Sequence, residues 1–533
     1  MADVDEVAAG TMGKAEGSKV VPWAYLRKGE WTIFSEADCV ALEACKDYAP
    51  VAVDGGRLLV SVPDRTLTAV YWDEPPCPVV RSNWIFESTS GKWIPLPEAE
   101  AVEINSIWAT LPATETLVLQ TPVIDHMTGI ATRTGAAKTA AAIKLQELFA
   151  KCSPSRDLRC KSLHYGMAFA PASPRVVDHV VFVVHGIGET YCKKRLAHGT
   201  IIDQCHVLRA STESLLASHY ASAATGHSVD FLPVDWSDVL GDMGDDVHAL
   251  LHRIALDSMP FVRQLTNELL SDILLYTSRQ AAVLAYVTKY MNARYEYRTL
   301  LYKANHPEFT GRVSILGHSL GSIITYDLLA KQGQPGTDDM QLAFATDTFF
   351  AFGSPIGLFL ALRGNIHGQD LVLPNCTHVY NIYHPLDPVA YRLEPLIHKA
   401  ASVAPPVRIN TASGWRRFHH VVQDFAESFE SGQKKWAQKM EETFKVFMPK
   451  DSDATKESTD DTEAQANELQ KRVLDAMNPK TNRIDYVLPE SELEALTPLS
   501  ALTAHTGYWA SMDFVLFLLT QLLGDPSRQG SAE

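Results

Sequence analysis

The sequence predicts an α/β fold, a mainly parallel sheet flanked by helices, on three observations. The first is residues 313–331, VSILGHSLGSIITYDLLAK, where a short apolar run passes through Gly-His-Ser-Leu-Gly into a helical pattern carried by Ile323, Ile324, Leu328 and Leu329. The second is residues 176–184, VVDHVVFVV, a β-branched run of the kind found in a central parallel strand buried on both faces. The third is the alternation that follows: strand-like runs at 231–234, 346–352, 378–383 and 484–488 are separated by helical patterns, including a long one over about 243–304.

Length and composition bound the rest. A chain of 533 residues has room for two or three average domains, and 46% hydrophobic with 21% charged residues is ordinary for a globular protein. No apolar run reaches the roughly 18 residues that span a bilayer; the densest, 512–523 (MDFVLFLLTQLL), reads as a buried helix. The first residues, MADVDEVAAGTMGKAEGSK, lack the apolar core of a signal peptide and are too acidic for a transit peptide. Eight cysteines without C-x-x-C pairing or regular spacing indicate neither a zinc site nor a disulfide framework, so a reducing, intracellular compartment is expected. The net charge of −16 argues against nucleic acid as the main partner. It also means that contact with anionic lipid needs a local basic or apolar patch.

Taken in order, residues 1–20 are expected to be disordered and 21–100 to form a small β-rich module. There, Asp54-Gly55-Gly56-Arg57 reads as a turn between strands at 51–53 and 58–62, and a second strand pair is expected at 69–72 and 84–86. Trp23, Trp31, Trp72, Trp84 and Trp93 fit a core better than a ligand cage. Residues 101–175 connect to the α/β domain through an Ala-rich helix at 136–151. That domain spans 176–523, and a tail of 524–533 follows. Within it, the acidic, small-residue stretch 449–480 reads as a disordered insertion. Just before it, 415–448 predicts one or two amphipathic helices, with Trp415, Phe418, Phe425, Phe429 and Trp436 as apolar anchors and Arg416, Arg417, Lys434, Lys435 and Lys439 on the polar side. No internal repeat is found.

The strand–G-x-S-x-G–helix sequence is the setting of a nucleophile elbow, which makes Ser319 the candidate nucleophile. Bulky neighbours would clash with the flanking strand and helix, hence the glycines, and the helix N-terminus favours developing negative charge. A serine needs a base and the base an orienting acid, in the chain order Ser, acid, His for this fold. Asp387, in the Pro-bounded turn of NIYHPLDPVAY, follows a strand as the acid should. His505, in LTAHTGYW, lies after the last strand and before the apolar helix. His384, His419 and His420 lack that position. The oxyanion donors are expected at the amide of Leu320 and in the His185-Gly186-Ile187-Gly188 loop, at Ile187 or Gly188. Such a site is α/β-hydrolase-like and calls for no metal and no cofactor, although two carboxylates and a histidine can in principle bind a divalent ion.

GHSLGS, FFAFGSPIGLFLALRG (349–364), NIYHPLDPVAYRLEPL (381–396) and RIDYVLPE (483–490), with HVVFVVHGIGE and FLPVDW upstream, resemble signatures of the DDHD-domain family of intracellular A1-type phospholipases, several of which prefer phosphatidic acid. The four residues behind that name fall here at Asp387, Asp485, His505 and Asp513. The N-terminal stretch with DGGR and VYW resembles the WWE-like part of these proteins, so the likeness covers most of 21–523. It implies a lipid esterase that is cytoplasmic, peripherally associated with intracellular membranes and directed at a phospholipid substrate, with Arg416, Arg417 and Lys435 meeting the membrane surface. Protein partners are unknown. Asp485, in a β-run, and Asp513, in an apolar helix, are expected to be structural hydrogen-bond partners. The alternatives are an inactive hydrolase-fold lipid-binding or trafficking scaffold and a soluble carboxylesterase for small esters.

Overall fold

The computed structural model describes residues 20–46, 49–88, 93–109, 160–165, 169–170, 179–193, 199–220, 229–240, 250, 253–254, 260–305, 311–364, 372–397, 405–409, 471–489 and 504–524. They fall into two compact units, Met1–Arg175 and Val176–Glu533. The expected helix at 136–151, the amphipathic stretch 415–448 and most of the acidic insertion lie outside the described residues.

The first unit is β-rich. Strands β1 (Trp23–Arg27), β2 (Glu30–Ile33), β3 (Val51–Val53), β4 (Leu58–Ser61), β5 (Thr66–Ala69) and β6 (Cys77–Arg81) form an antiparallel sheet in the order β2-β1-β6-β5-β4-β3. A helix, α1 (Glu36–Ala44), is capped by the Ser35 side chain, which accepts from the Asp38 amide. The expected hairpin is β3–β4. Its turn runs through three consecutive left-handed residues, Asp54 (φ 53°), Gly55 (φ 63°) and Gly56 (φ 82°), which only a sequence such as Asp-Gly-Gly adopts without heavy strain. The second expected pair is corrected: the strand near Ala69 begins at Thr66 and ends where 69–72 was expected to start. Trp84–Ser88 (β7) instead joins a separate antiparallel sheet, β8-β7-β9, with Trp93–Pro95 (β8) and Cys160–Tyr165 (β9). Trp23, Trp72 and Trp84 are buried, and the indole N–H groups of Trp23 and Trp72 donate to Glu43 and Glu74, so these rings act as core.

The described residues of the second unit form seven parallel strands: β10 (His179–Val184), β11 (Val229–Val234), β12 (Arg312–His318), β13 (Thr346–Phe352), β14 (Cys376–Tyr383), β15 (Val407–Arg408) and β16 (Asp485–Val487), in the order β11-β10-β12-β13-β14-β16-β15. Both β10 and β11 are buried along their whole length, as helices on both faces require. Alternate side chains Val181, Val183, Phe350, Phe352, Tyr380 and Ile382 meet helices Ile201–His219 and Met512–Leu523 in one core. On the other face the long helix Pro260–Asn305, kinked at Arg279, brings Tyr295 against Phe344, which stacks on Phe182. Helix Leu320–Ala330 follows β12 directly. Residues 471–477 are helical, with Val473, Leu474 and Met477 buried, so the stretch expected to be disordered ends in ordered, packed structure. No described helix is long and apolar enough to cross a membrane.

Candidate active site

Ser319 stands between β12 and helix Leu320–Ala330 with φ 51° and ψ −123°, a backbone conformation that non-glycine residues rarely adopt. Its amide is held by the Phe352 carbonyl of the neighbouring strand at 3.1 Å. The flanking glycines are sterically enforced. A Cβ on Gly321 would lie 2.3 Å from the Val184 carbonyl oxygen, and one on Gly317 2.7 Å from the Ser322 Cα. The HGIG loop at the end of β10 passes directly over this turn, since a Cβ on Gly186 would lie 2.7 Å from the Ser319 Cβ.

Asp387 and His505, 118 residues apart, meet in the same place. His505 Nδ1 lies 3.0 Å from both carboxylate oxygens of Asp387. Both residues are buried. Asp387 sits in the turn after β14, where its amide donates to the His384 carbonyl at 3.0 Å and its Oδ1 accepts from the Val389 amide at 2.9 Å. Burial works to raise the Asp387 carboxyl, but the hydrogen bond and charge of His505, with the Tyr508 hydroxyl and the Val389 amide, bring it below its ordinary value. The carboxylate is therefore an anion at neutral pH, facing the imidazole. His505 Nε2 is buried and has no hydrogen-bond partner among the described residues.

His318, the first of the two variable residues of the elbow motif, serves this arrangement. Its Nε2 lies 3.0 Å from the His505 carbonyl oxygen, so the ring donates there, and it packs against Phe352 and the rings of His505, Tyr508 and Trp509. Burial and the nearby His505 push its pKa down to about 3, so it remains a neutral imidazole.

One of the expected oxyanion donors has a partner within the protein. The Gly188 amide donates to the Asp272 carboxylate at 2.7 Å. Asp485 is fully buried away from the imidazole, accepting from the amides of Leu393 and Glu394 (3.0 and 3.2 Å), Asn381 Nδ2 (3.0 Å) and Arg392 Nε (3.1 Å). Glu394 answers by accepting from the amides of Ile484 and Asp485, so the pair ties the end of the Asp387 loop to β16. Asp513 lies in the first turn of the last helix, after the Ser511 cap, where a carboxylate suits the helix dipole. Among the described residues no group of three or more His, Cys, Asp or Glu side chains is arranged to hold a metal ion. Arg416, Arg417 and Lys435 lie outside the described residues. Sequence reasoning missed Asp272 and Tyr508: an acid in a long helix and a tyrosine in an aromatic run carry no signal of their own.

Comparison with known proteins bears on the same residues. A family model described as the DDHD domain matches residues 342–452 and 448–523, a span that contains Asp387, Asp485, His505 and Asp513 and begins after Ser319. The chain is 28% identical over 424 residues to a Schizosaccharomyces pombe protein named as a probable mitochondrial phospholipase, covering 66% of this chain and 55% of that one. It is 25% identical over 679 residues to triacylglycerol hydrolase DDHD2 of Homo sapiens, covering 94% and 92%. To phospholipase DDHD1 of Homo sapiens it is 29% identical over 456 residues, covering 68% and 48%. The chain thus spans about half the length of the yeast relative and of phospholipase DDHD1, and most of triacylglycerol hydrolase DDHD2. No solved structure matches it.

Proposed function

From the premise that this chain belongs to the DDHD-domain family, we propose that it is a serine lipid hydrolase that cleaves a fatty-acyl ester of a glycerophospholipid, of A1 type, with phosphatidic acid among its substrates. The observation that carries this is a strained serine on a strand–helix turn, in a site where a buried imidazole is held by a buried carboxylate through one nitrogen and is unpartnered at the other.

In this mechanism Ser319 Oγ attacks the acyl carbonyl carbon while His505 Nε2 takes its proton, and Asp387 stabilises the resulting imidazolium. The amides of Leu320 and Ile187 receive the oxyanion. Collapse expels the glycerol oxygen, protonated by His505, and leaves an acyl-serine. Water, deprotonated by the same imidazole, then releases the fatty acid. The Ser319–His505 hydrogen bond is not formed in the free site, which is common before substrate tightens such geometry.

We further propose that the protein works as a peripheral membrane protein on the cytoplasmic side of intracellular membranes. Arg416, Arg417 and Lys435 would contact lipid phosphates, with no nucleic-acid partner and no cofactor. The deciding experiment compares lipid products of the wild type and Ser319→Ala on a mixture of phospholipids and triacylglycerol. Free fatty acid with lysophospholipid, lost by on the order of 10³-fold or more in the variant, is the expected result. Diacylglycerol as the main product would favour a neutral-lipid substrate, in line with the name of the relative matched over most of its length. Equal turnover by the variant would remove Ser319 as nucleophile. Absence of products from both proteins would favour a non-catalytic scaffold, and hydrolysis confined to dispersed short-chain esters would favour a soluble carboxylesterase.

A further inference from the structure

His505 and Tyr508 stand three residues apart on one short stretch, the helical turn at 504–506 continuing into a tighter turn at Gly507–Ala510. In such turns, side chains at i and i+3 point the same way. Here both reach the same carboxylate. His505 Nδ1 approaches both oxygens of Asp387, and the Tyr508 hydroxyl donates to Oδ2 at 2.7 Å. The same hydroxyl oxygen accepts the His384 amide at 2.8 Å. Its donor and an acceptor site are thus both used, and they bridge the carboxylate of the acid to the first residue of the turn that carries it.

The site leaves the ring little freedom. Tyr508 is 1% exposed and meets Phe352 and Phe514 edge to face. Gly353, at φ +54°, closes the remaining side, since a Cβ there would lie 3.1 Å from Asp387 Oδ2, 3.1 Å from Tyr508 Cε2 and 3.2 Å from His505 Nδ1. Burial and the Asp387 charge drive the ionisation of Tyr508 well above its ordinary value, so the hydroxyl keeps its proton and remains a donor.

We propose that Tyr508 is a positioning residue for the acid of the triad, clamping Asp387 from the turn that carries His505 so that both carboxylate oxygens are fixed toward the imidazole. This rests on the triad assignment of Ser319, His505 and Asp387. Without Tyr508, Oδ2 would keep only the shared contact with His505 Nδ1 and the carboxyl could rotate. The groups facing Asp387 are then His505, the Val389 amide and the Tyr508 hydroxyl, with His318 behind His505. Removing a donor from a carboxylate makes it more basic, so the Asp387–His505 pair would hold its proton to higher pH.

The test is the rate at which a fluorophosphonate labels Ser319, measured from pH 5 to 9 in wild type, Tyr508→Phe, Asp387→Asn and Ser319→Ala. Tyr508→Phe is expected to label on the order of tenfold more slowly at neutral pH, the size of one lost charge-assisted hydrogen bond. Its acid limb should move upward by about half a pH unit or more. A purely structural role would lower the fraction of active protein without moving the limb. Should Tyr508→Phe fail to fold, 3-fluorotyrosine at 508 decides. It keeps the ring and makes the hydroxyl a stronger donor, so the limb should move downward. A limb unmoved in the folded variant overturns the proposal. Undiminished labelling of Ser319→Ala overturns the triad assignment instead, and the two failures are distinguishable.

Discussion

The amide of Gly188 donates to the carboxylate of Asp272, 84 residues away on the long kinked helix, at 2.7 Å. Gly188 has φ 87°, which presents the amide to Asp272 at no steric cost. The other end of the loop is fixed as well. His185 stacks on Trp236 at 4.9 Å and 9°, accepts the Trp236 amide at Nε2 and receives the Trp236 indole N–H on its carbonyl. Ile187 lies between these two anchors in the chain, next to Gly186, which sits against the elbow.

Cutting the Asp272 anchor should therefore loosen the amide proposed to meet the oxyanion. Asp272→Ala is expected to lower kcat on a short-chain ester by on the order of 10- to 100-fold, with little change in KM, because a transition-state contact is weakened rather than substrate binding. Asp272→Asn, which keeps an acceptor oxygen, should recover most of the rate. Wild-type kcat in the alanine variant would show that the loop orders itself without the helix.

The two buried aspartates at the end of β14 and in β16 should separate cleanly. Asp387→Asn keeps the size of the side chain but removes the charge opposite His505, and kcat should fall by on the order of 10³- to 10⁴-fold with the melting temperature near wild type. Asp485→Asn leaves four donors facing a neutral amide, so its main effect should be on stability. A loss of about 1–3 kcal/mol in urea denaturation is expected, with most of the specific activity of the folded fraction retained. An Asp485→Asn protein that is stable but inactive would reverse the two roles.

Much of the second unit was legible because its signals are local. An apolar β-branched run announced the strand at 179–184, shorter apolar and aromatic runs announced those at 312–318, 346–352 and 376–383, and the Gly-His-Ser-Leu-Gly turn announced the elbow. What escaped was decided by distant partners. Val407–Arg408 is too short to leave a periodic signal, and β16 enters the sheet between β14 and β15 rather than at its edge. Trp84–Ser88 carries ordinary strand propensity, yet its pairing is set by Cys160–Tyr165, beyond any local window. Asp272 and Tyr508 were invisible for the same reason. Each takes its meaning from a group more than 80 residues away in the chain.

Because the net charge is −16, membrane contact needs a local exception, and 415–448 concentrates basic and aromatic residues. Each basic residue at an anionic surface contributes about 1 kcal/mol, and opposing charges farther away are screened over a Debye length of about 8 Å. The triple variant Arg416→Glu, Arg417→Glu, Lys435→Glu should lose most of its sedimentation with phosphatidic-acid vesicles at physiological salt. Its hydrolysis of a soluble short-chain ester should match wild type. Equal vesicle binding would place the membrane contact elsewhere.

Two buried groups give opposite pH dependences of stability that offset each other in one window. Burial and His505 hold His318 at about 3 rather than 6.5. Below pH 6.5 the unfolded chain takes a proton there that the folded protein refuses. The folded state therefore loses about 1.4 kcal/mol per pH unit as pH falls from 6.5 toward 3. Glu189, whose carboxylate accepts the Ile201 amide, is raised by burial from 4.5 to about 7. There the unfolded chain releases a proton that the folded protein keeps, so stability falls by a similar amount per unit as pH rises from 4.5 toward 7. Between pH 4.5 and 6.5 the two slopes have opposite sign and cancel in the wild type. His318→Asn removes one of them, so its stability relative to wild type should fall as pH rises through that window, by on the order of 1 kcal/mol per unit. Glu189→Gln removes the other, and its relative stability should rise. Urea denaturation at several pH values in the window reads both as differences in slope, which the overall destabilisation of either variant does not affect. Curves that run parallel to wild type would mean that neither group changes its proton affinity on folding.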